Sequence, residues 1–180
     1  MQQRKKVDRK RFVRYKEGAE LYSMCQSKFE DMARVDSDKA YVLGLLHDIG
    51  RKFGTRHLGH VYDGYRYMLR LGYDEVAKIC LTHSFSVPDI ATYIGNFDIT
   101  IEEQEEIAKA LEQSVFDDYD RLIQLCDCLA GSEGVMDIEA RMTDVKQRYG
   151  SYPQSKWDMN MSLKRQFEMK VGKDIYEIVR

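Results

Sequence analysis

The sequence predicts an all-α fold, and three observations support this prediction. The chain of 180 residues contains only two prolines, Pro88 and Pro153, so long stretches are free to form helices. Apolar residues recur at helical spacing in several segments, most of which end at a glycine. No segment shows a convincing strand pattern, and no internal repeat is evident. With 43% hydrophobic residues, the chain can bury the core of one domain.

Four helices are expected in the first half of the chain. Asp36 or Ser37 can cap the second of them, and Gly50 is expected to end it. Gly72 is a suitable C-terminal glycine for the third helix, and Asp74 starts the fourth. The four helices are predicted over residues 9–33, 37–50, 56–71 and 74–83.

Four more helices are expected in the second half. Thr100 and Glu103 form a capping-box pattern for the first of them. Gly131 and Gly150 are expected to end the next two, and Gly172 is expected to interrupt the last. The four helices are predicted over residues 101–113, 116–130, 137–149 and from residue 155 toward the C-terminus.

Composition argues against several functional classes. The net charge of -2 gives no electrostatic support for binding nucleic acid or an anionic membrane, and the basic residues 4–11 are expected to be a solvated terminus. No run of about 18 apolar residues predicts a membrane span, and no apolar signal core follows the N-terminus. The four cysteines form no Cys-x-x-Cys pair and are typical of a reduced, cytoplasmic protein.

The most informative stretch is residues 41–50, YVLGLLHDIG. Its apolar side chains point in nearly every direction around a helix, which predicts a helix buried on all sides. His47 and Asp48 are therefore expected to lie inside the protein. A buried carboxylate beside a buried imidazole is costly unless it is paired, hydrogen-bonded or bound to a metal.

Two further histidines and one carboxylate complete a set of candidate ligands. His83 lies within the apolar arc of its helix, and His60 lies at the edge of another, with His57 as the alternative inward residue. Asp127 lies on the rim of an apolar arc. Taken singly, each position is more typical of a packed or solvated side chain than of a ligand. Together with His47 and Asp48 they form a nitrogen and oxygen set that suits Mn, Fe, Co, Ni or Zn.

These motifs resemble a known family. Residues 45–50, LLHDIG, are similar to the signature of the HD-domain metal-dependent phosphohydrolases. His60 with Gly64, then Gly72 and His83, resemble the two later histidine helices of its small single-domain binuclear members. The stretch at residues 120–127, DRLIQLCD, resembles the helix that carries the distal metal-binding aspartate. The resemblance covers residues from about 10 to 132.

The resemblance implies a helical bundle that holds one or two divalent transition metal ions. It places His47, Asp48 and Asp127 at a first metal, and Asp48, His60 and His83 at a second, with Asp48 as the bridge. Over residues 1–180 it implies a single HD-type domain with a core at about 10–132. The helices at about 137–180 are then a C-terminal extension, and the last helix, from residue 155, is expected to close the bundle rather than to form a dimer contact.

The sequence departs from the family pattern at two places. The family has a metal-binding histidine on its first helix, but no histidine precedes His47 here. Glu17 lies near the matching place as a candidate oxygen ligand, whereas Gly18 at that place would leave a gap. The usual lysine after the doublet glycine is replaced by Arg51, which keeps the charge and can bind phosphate bidentately.

The sequence therefore predicts a phosphohydrolase that acts on a small phosphorylated compound, with a nucleotide favoured, through metal-activated water. Asp48 and Arg51 are the expected catalytic residues, and Arg51, Lys52 and Arg56 are the expected substrate-binding residues. The alternative is a catalytically decayed HD domain that binds a nucleotide as a regulatory module. A nucleic-acid partner is disfavoured by the net charge, no membrane partner is expected, and the oligomeric state stays open.

Overall fold

The computed structural model describes residues 35–131 and 134–179, and over these ranges the fold is all-α, as predicted. The described chain forms eight α-helices: α1 (Ser37–Leu46), α2 (Leu58–Arg70), α3 (Asp74–Thr82), α4 (Ile101–Gln113), α5 (Asp118–Leu129), α6 (Ile138–Tyr149), α7 (Gln154–Val171) and α8 (Ile175–Val179). Two short 3-10 helices span Ile49–Phe53 and Ile90–Thr92. The helix predicted over residues 9–33, with the candidate ligand Glu17, lies outside the described residues.

One small antiparallel strand pair departs from the expectation of no strand. Strand β1 (Ala130–Gly131) pairs with β2 (Gly134–Val135), and Gly131 lies opposite Gly134. A ladder of two residues is too short to show an alternating pattern, so the sequence could not predict it. Gly131 therefore lies in a strand, and the preceding helix α5 ends two residues earlier, at Leu129.

Most helix ends follow the predicted capping residues. The Asp36 side chain accepts the backbone N–H of Lys39 at the start of α1, and Thr100 forms the predicted capping box of α4. Gly150 and Gly172 adopt left-handed conformations, with φ of 83° and 69°, directly after α6 and α7. Because glycine has no Cβ, it takes this conformation without steric cost.

Helix α1 differs from its prediction in length and in burial. It ends at Leu46, and the chain continues as a 3-10 helix that contains Gly50. The prediction of burial on all sides was wrong, because Val42 is 48% exposed whereas Ala40 and Leu43 are buried. The helix therefore has one buried side, and its run of apolar residues led to a prediction of more burial than is observed.

The 3-10 helix at Ile49–Phe53 packs closely against α2. A Cβ atom added to Gly50 would lie 1.9 Å from the carbonyl oxygen of His60 and 2.6 Å from the backbone nitrogen of Gly64. Only glycine permits this approach. The contact brings Asp48, two residues before Gly50, beside the first turn of α2.

The C-terminal helices belong to the main hydrophobic core. This core joins buried side chains of α1, α3 and α5 to those of α6, α7 and α8, including Ile79, Ile123, Leu125, Ile138, Met142, Phe167, Ile175 and Ile178. A smaller cluster lies between α2, α3 and α4 and contains Leu58, Val61, Leu81, Phe85, Ile107 and Leu111. The last predicted helix, observed as α7, thus packs into the core as expected. No helix in the described part of the chain is long and apolar enough to span a membrane.

Candidate metal centre

Three helix ends bring a carboxylate and two imidazoles together. Asp48 precedes the 3-10 helix, His60 lies in the first turn of α2, and His83 directly follows α3. The histidines are almost fully buried, at 3% and 4% exposure, and the Asp48 side chain is 20% exposed. The structure thus places three of the predicted metal ligands in one group.

The ligand atoms of this group have the spacing of a shared coordination sphere. Oδ1 of Asp48 lies 3.1 Å from Nε2 of His60 and 3.6 Å from Nε2 of His83, and the two Nε2 atoms are 3.2 Å apart. Two ligands that bind one ion at about 2.0–2.1 Å lie roughly 3.0–3.4 Å from each other. The observed separations are close to this range, so the donor set fits a divalent transition metal.

Backbone carbonyls orient the imidazoles of His47, His60 and His83. In each ring Nδ1 contacts the carbonyl oxygen three residues earlier, those of Gly44, His57 and Cys80. A carbonyl oxygen can only accept, so Nδ1 must carry a hydrogen. In the neutral ring Nε2 then carries a lone pair, which is the form that binds a metal.

Burial and neighbouring charges set the protonation of the group. Burial, helped by the charge of the His47 ring, lowers the pKa of His83 to about 3, so His83 is neutral near pH 7. Burial acts to raise the pKa of Asp48, but the hydrogen bond from His60 and the charges of His47 and Arg51 hold that pKa well below its usual value. Asp48 is therefore a carboxylate. Since Nδ1 of His60 already donates to a carbonyl, the hydrogen bond from His60 to Asp48 needs a second proton, on Nε2; a metal cation among Oδ1 and the two Nε2 atoms would take the place of that proton.

Arg51 contacts this group directly. Its Nε donates to Oδ2 of Asp48, and its Nη2 lies 3.3 Å from Nε2 of His60. The nearby Asp48 charge keeps the pKa of Arg51 raised, although burial opposes this effect. Arg51 was predicted to bind phosphate, and the structure instead pairs it with the carboxylate that the sequence assigned to the metal.

The other two predicted ligands lie at the edge of the group. Nε2 of His47 is 3.9 Å from Oδ1 of Asp127, and the His47 ring meets the His83 ring edge-on, with centroids 5.1 Å apart. The Asp127 side chain is 50% exposed, as its position on the rim of α5 predicted. His47 and Asp127 face the same cavity as the Asp48 group without joining its three ligand atoms.

Two of the predicted substrate-binding residues have other partners. The ammonium group of Lys52 lies 3.9 Å from the centroid of the Tyr67 ring, a cation–π contact away from the metal group. Arg56 lines the cavity, but its guanidinium is paired with Asp63 at 2.8 Å. His57 also lines the cavity, and its ring faces Tyr149 rather than the ligand group.

The ligand group lies at a cavity of about 440 Å³ that more cationic than acidic side chains line, although each of its arginines also forms an ion pair with a carboxylate. Among the described residues, five cationic side chains line the cavity against the two carboxylates Asp48 and Asp127; the cations are Arg51, Arg56, Arg141, Arg148 and Lys156. Three tyrosines also line it: Tyr93, Tyr149 and Tyr152. Cationic and tyrosine side chains of this kind line pockets for anions that carry a flat part.

Sequence reasoning missed the contribution of α6 and α7 to this cavity. On α6, Arg141, Val145 and Arg148 follow each other at intervals of four and three residues and therefore share one helix face with Tyr149. That basic and aromatic stripe was a detectable signal. Lys156 on α7 left no such signal, because its partner carbonyl is 72 residues away in the chain.

Comparisons with known proteins leave the family of this chain open. Residues 10–35 match the model of a family of unknown function (DUF6462), which covers well under half of the chain and says nothing about the metal centre. No significant match to a curated protein or to a solved structure is found.

Proposed function

We propose that this protein is a metal-dependent phosphohydrolase of the HD-domain type, acting on a small phosphorylated compound, with a nucleotide as the favoured class. One observation carries the proposal. Oδ1 of Asp48 and the Nε2 atoms of His60 and His83 converge at 3.1–3.6 Å, and Nδ1 of each ring meets a backbone carbonyl, which leaves Nε2 for a metal. The order of the sequence motifs supports the same family.

Asp48, His60 and His83 would hold one divalent ion, and His47 with Asp127 would complete the centre or contribute to a second ion. When bound, a divalent transition metal supplies Lewis acidity and activated water at neutral pH. Manganese, iron, cobalt, nickel and zinc all suit this donor set. The buried histidines exclude bulk water from the inner side of the centre.

The excess of cationic over acidic side chains in the cavity supports the choice of a phosphorylated substrate. Arg51 is the candidate closest to the ligand group, and exchange of its contact from Asp48 to a phosphate oxygen would provide bidentate binding. The side chains of Tyr93 and Tyr149 line the same cavity and offer flat faces for a base. A volume of about 440 Å³ suits a ligand of nucleotide size.

The test combines elemental analysis with an activity assay. Wild-type protein should contain a transition metal and hydrolyse members of a nucleotide panel when Mn²⁺ or Co²⁺ is added. His83→Ala should lose both properties, with its fold checked by circular dichroism. His57→Ala is the matched control, because His57 lines the cavity outside the ligand group, and it should keep its metal. Folded wild-type protein that binds no metal and hydrolyses no member of the nucleotide panel would refute the proposal.

One observation favours a second candidate, a decayed HD domain that binds a nucleotide without cleaving it. The guanidinium of Arg51 already provides a cation to Asp48 and lies 3.3 Å from Nε2 of His60. The group is thereby partly neutralised by a side chain. In this case a nucleotide would raise the melting temperature of metal-free protein with no turnover.

A further inference from the structure

Lys156 has an unusual environment for a lysine. It lies in the first turn of α7, and its ammonium group donates to the carbonyl oxygens of Ser84, at 2.7 Å, and Thr92, at 3.4 Å. Both acceptors are neutral. No carboxylate of the described residues lies within ion-pair distance of this ammonium, whereas Lys164 and Lys170 of the same helix are paired with acidic side chains.

The position of Lys156 relates it to the candidate metal centre. Its closest partner, Ser84, directly follows His83 in the chain, which ties the ammonium to the segment that carries that imidazole. Lys156, His83 and Ser84 all line the same cavity. Lys156 and the candidate metal group therefore face one cavity.

The surrounding charges compensate Lys156 only in part: the charge of Asp127 acts to raise its pKa, but no carboxylate of the described residues contacts the ammonium. Of the two carboxylates that line the cavity, Asp48 is engaged by Arg51 and Asp127 lies 3.9 Å from His47. Burial lowers the pKa of Lys156 to about 8, which means that the site does not fully stabilise the charge by itself. A largely buried cation without a charged partner is costly, and an anionic ligand would remove that cost.

We propose that Lys156 binds a phosphate oxygen of the ligand, so that the C-terminal helices supply an anion-binding residue to the cavity. The class of ligand, a phosphate ester or diphosphate, rests on the proposed function, but the binding role of Lys156 needs no metal. The alternative role is structural, in which Lys156 only ties α7 to the carbonyls of Ser84 and Thr92.

Inorganic pyrophosphate is a suitable probe, used on full-length protein from which metal has been removed by a chelator. Calorimetry should show saturable binding to the wild type. Lys156→Met should weaken that binding at least about tenfold, because a charge-assisted hydrogen bond is lost. Lys156→Arg should retain most of it. Lys170→Met is the matched control: it removes the same charge from the same helix at a site paired with Asp118, and it should bind as the wild type does.

A second readout needs no substitution. Pyrophosphate should slow the acetylation of Lys156 in the wild type, followed by peptide mass spectrometry, and should leave that of Lys170 unchanged. Equal acetylation rates with and without pyrophosphate, unaltered binding by Lys156→Met, or no binding to the wild type would each overturn the proposal. Because the protein is metal-free, loss of binding in Lys156→Met supports the anion role even if no metal or hydrolysis is ever detected.

Discussion

Replacement of Gly50 by alanine tests the contact that positions Asp48. An added Cβ would lie 1.9 Å from the carbonyl oxygen of His60 and 2.6 Å from the backbone nitrogen of Gly64. Ordinary contact begins at 3.4 Å, so the 3-10 helix must move away from α2 by about 1.5 Å. Both obstacles are backbone atoms, which cannot rotate aside as a side chain can.

The expected cost of Gly50→Ala is at least about 3 kcal/mol, the upper part of the range for overpacked cores. For a chain of this length that corresponds to a melting temperature lower by about 6–12 °C. The displacement would also separate Asp48 from His60, now 3.1 Å apart between ligand atoms, so metal affinity should fall by about tenfold or more.

Gly150→Ala is the control for this experiment. A Cβ at Gly150 meets no atom within 4 Å, and its φ of 83° makes the cost purely conformational, about 1–2 kcal/mol. This variant should melt lower than the wild type but bind metal equally well. A Gly50→Ala protein with the wild-type melting temperature would refute the close approach of the 3-10 helix to α2, whatever the metal content.

Two further predictions concern helix starts. Asp98 accepts hydrogen bonds from the backbone N–H groups of His57 and Gly59 at the start of α2. Burial acts to raise the pKa of Asp98, but these hydrogen bonds hold that pKa below its usual value. The stabilisation that ionised Asp98 provides is therefore complete above about pH 4 and is lost as the pH falls through the lowered pKa. The free energy of unfolding of Asp98→Asn, measured with urea, should therefore depend less on pH in the acid range. Thr100→Ala should lower the free energy of unfolding by about 1 kcal/mol through loss of the cap of α4. An unchanged midpoint of urea unfolding in Thr100→Ala would show that the Thr100 cap does not stabilise α4.

The sequence was most informative where a property depends on local periodicity. The burial of His83 and the rim position of Asp127 followed from the angles of their own helices, and both are observed. The helix ends at Gly150 and Gly172 followed from the conformational freedom of glycine. Each of these features is determined within a few residues of chain.

Features that join distant segments were not predictable. The pairing of Asp98 with the start of α2 spans 41 residues, and that of Lys156 with Ser84 spans 72. The partner of Arg51 was missed for a local reason: the sequence predicted one continuous helix to Gly50, whereas a break after Leu46 starts the 3-10 helix that turns Arg51 onto Asp48.

The backbone carbonyl contacts of His47, His60 and His83 have a consequence for the basicity of these imidazoles. A carboxylate on Nδ1 would make an imidazole more basic and its bond to a metal stronger. Here each Nδ1 meets an uncharged backbone oxygen from its own turn of chain. The rings are well oriented but only moderately strong donors. The affinity of an ion at this centre would therefore rest on the orientation of the three rings more than on their basicity.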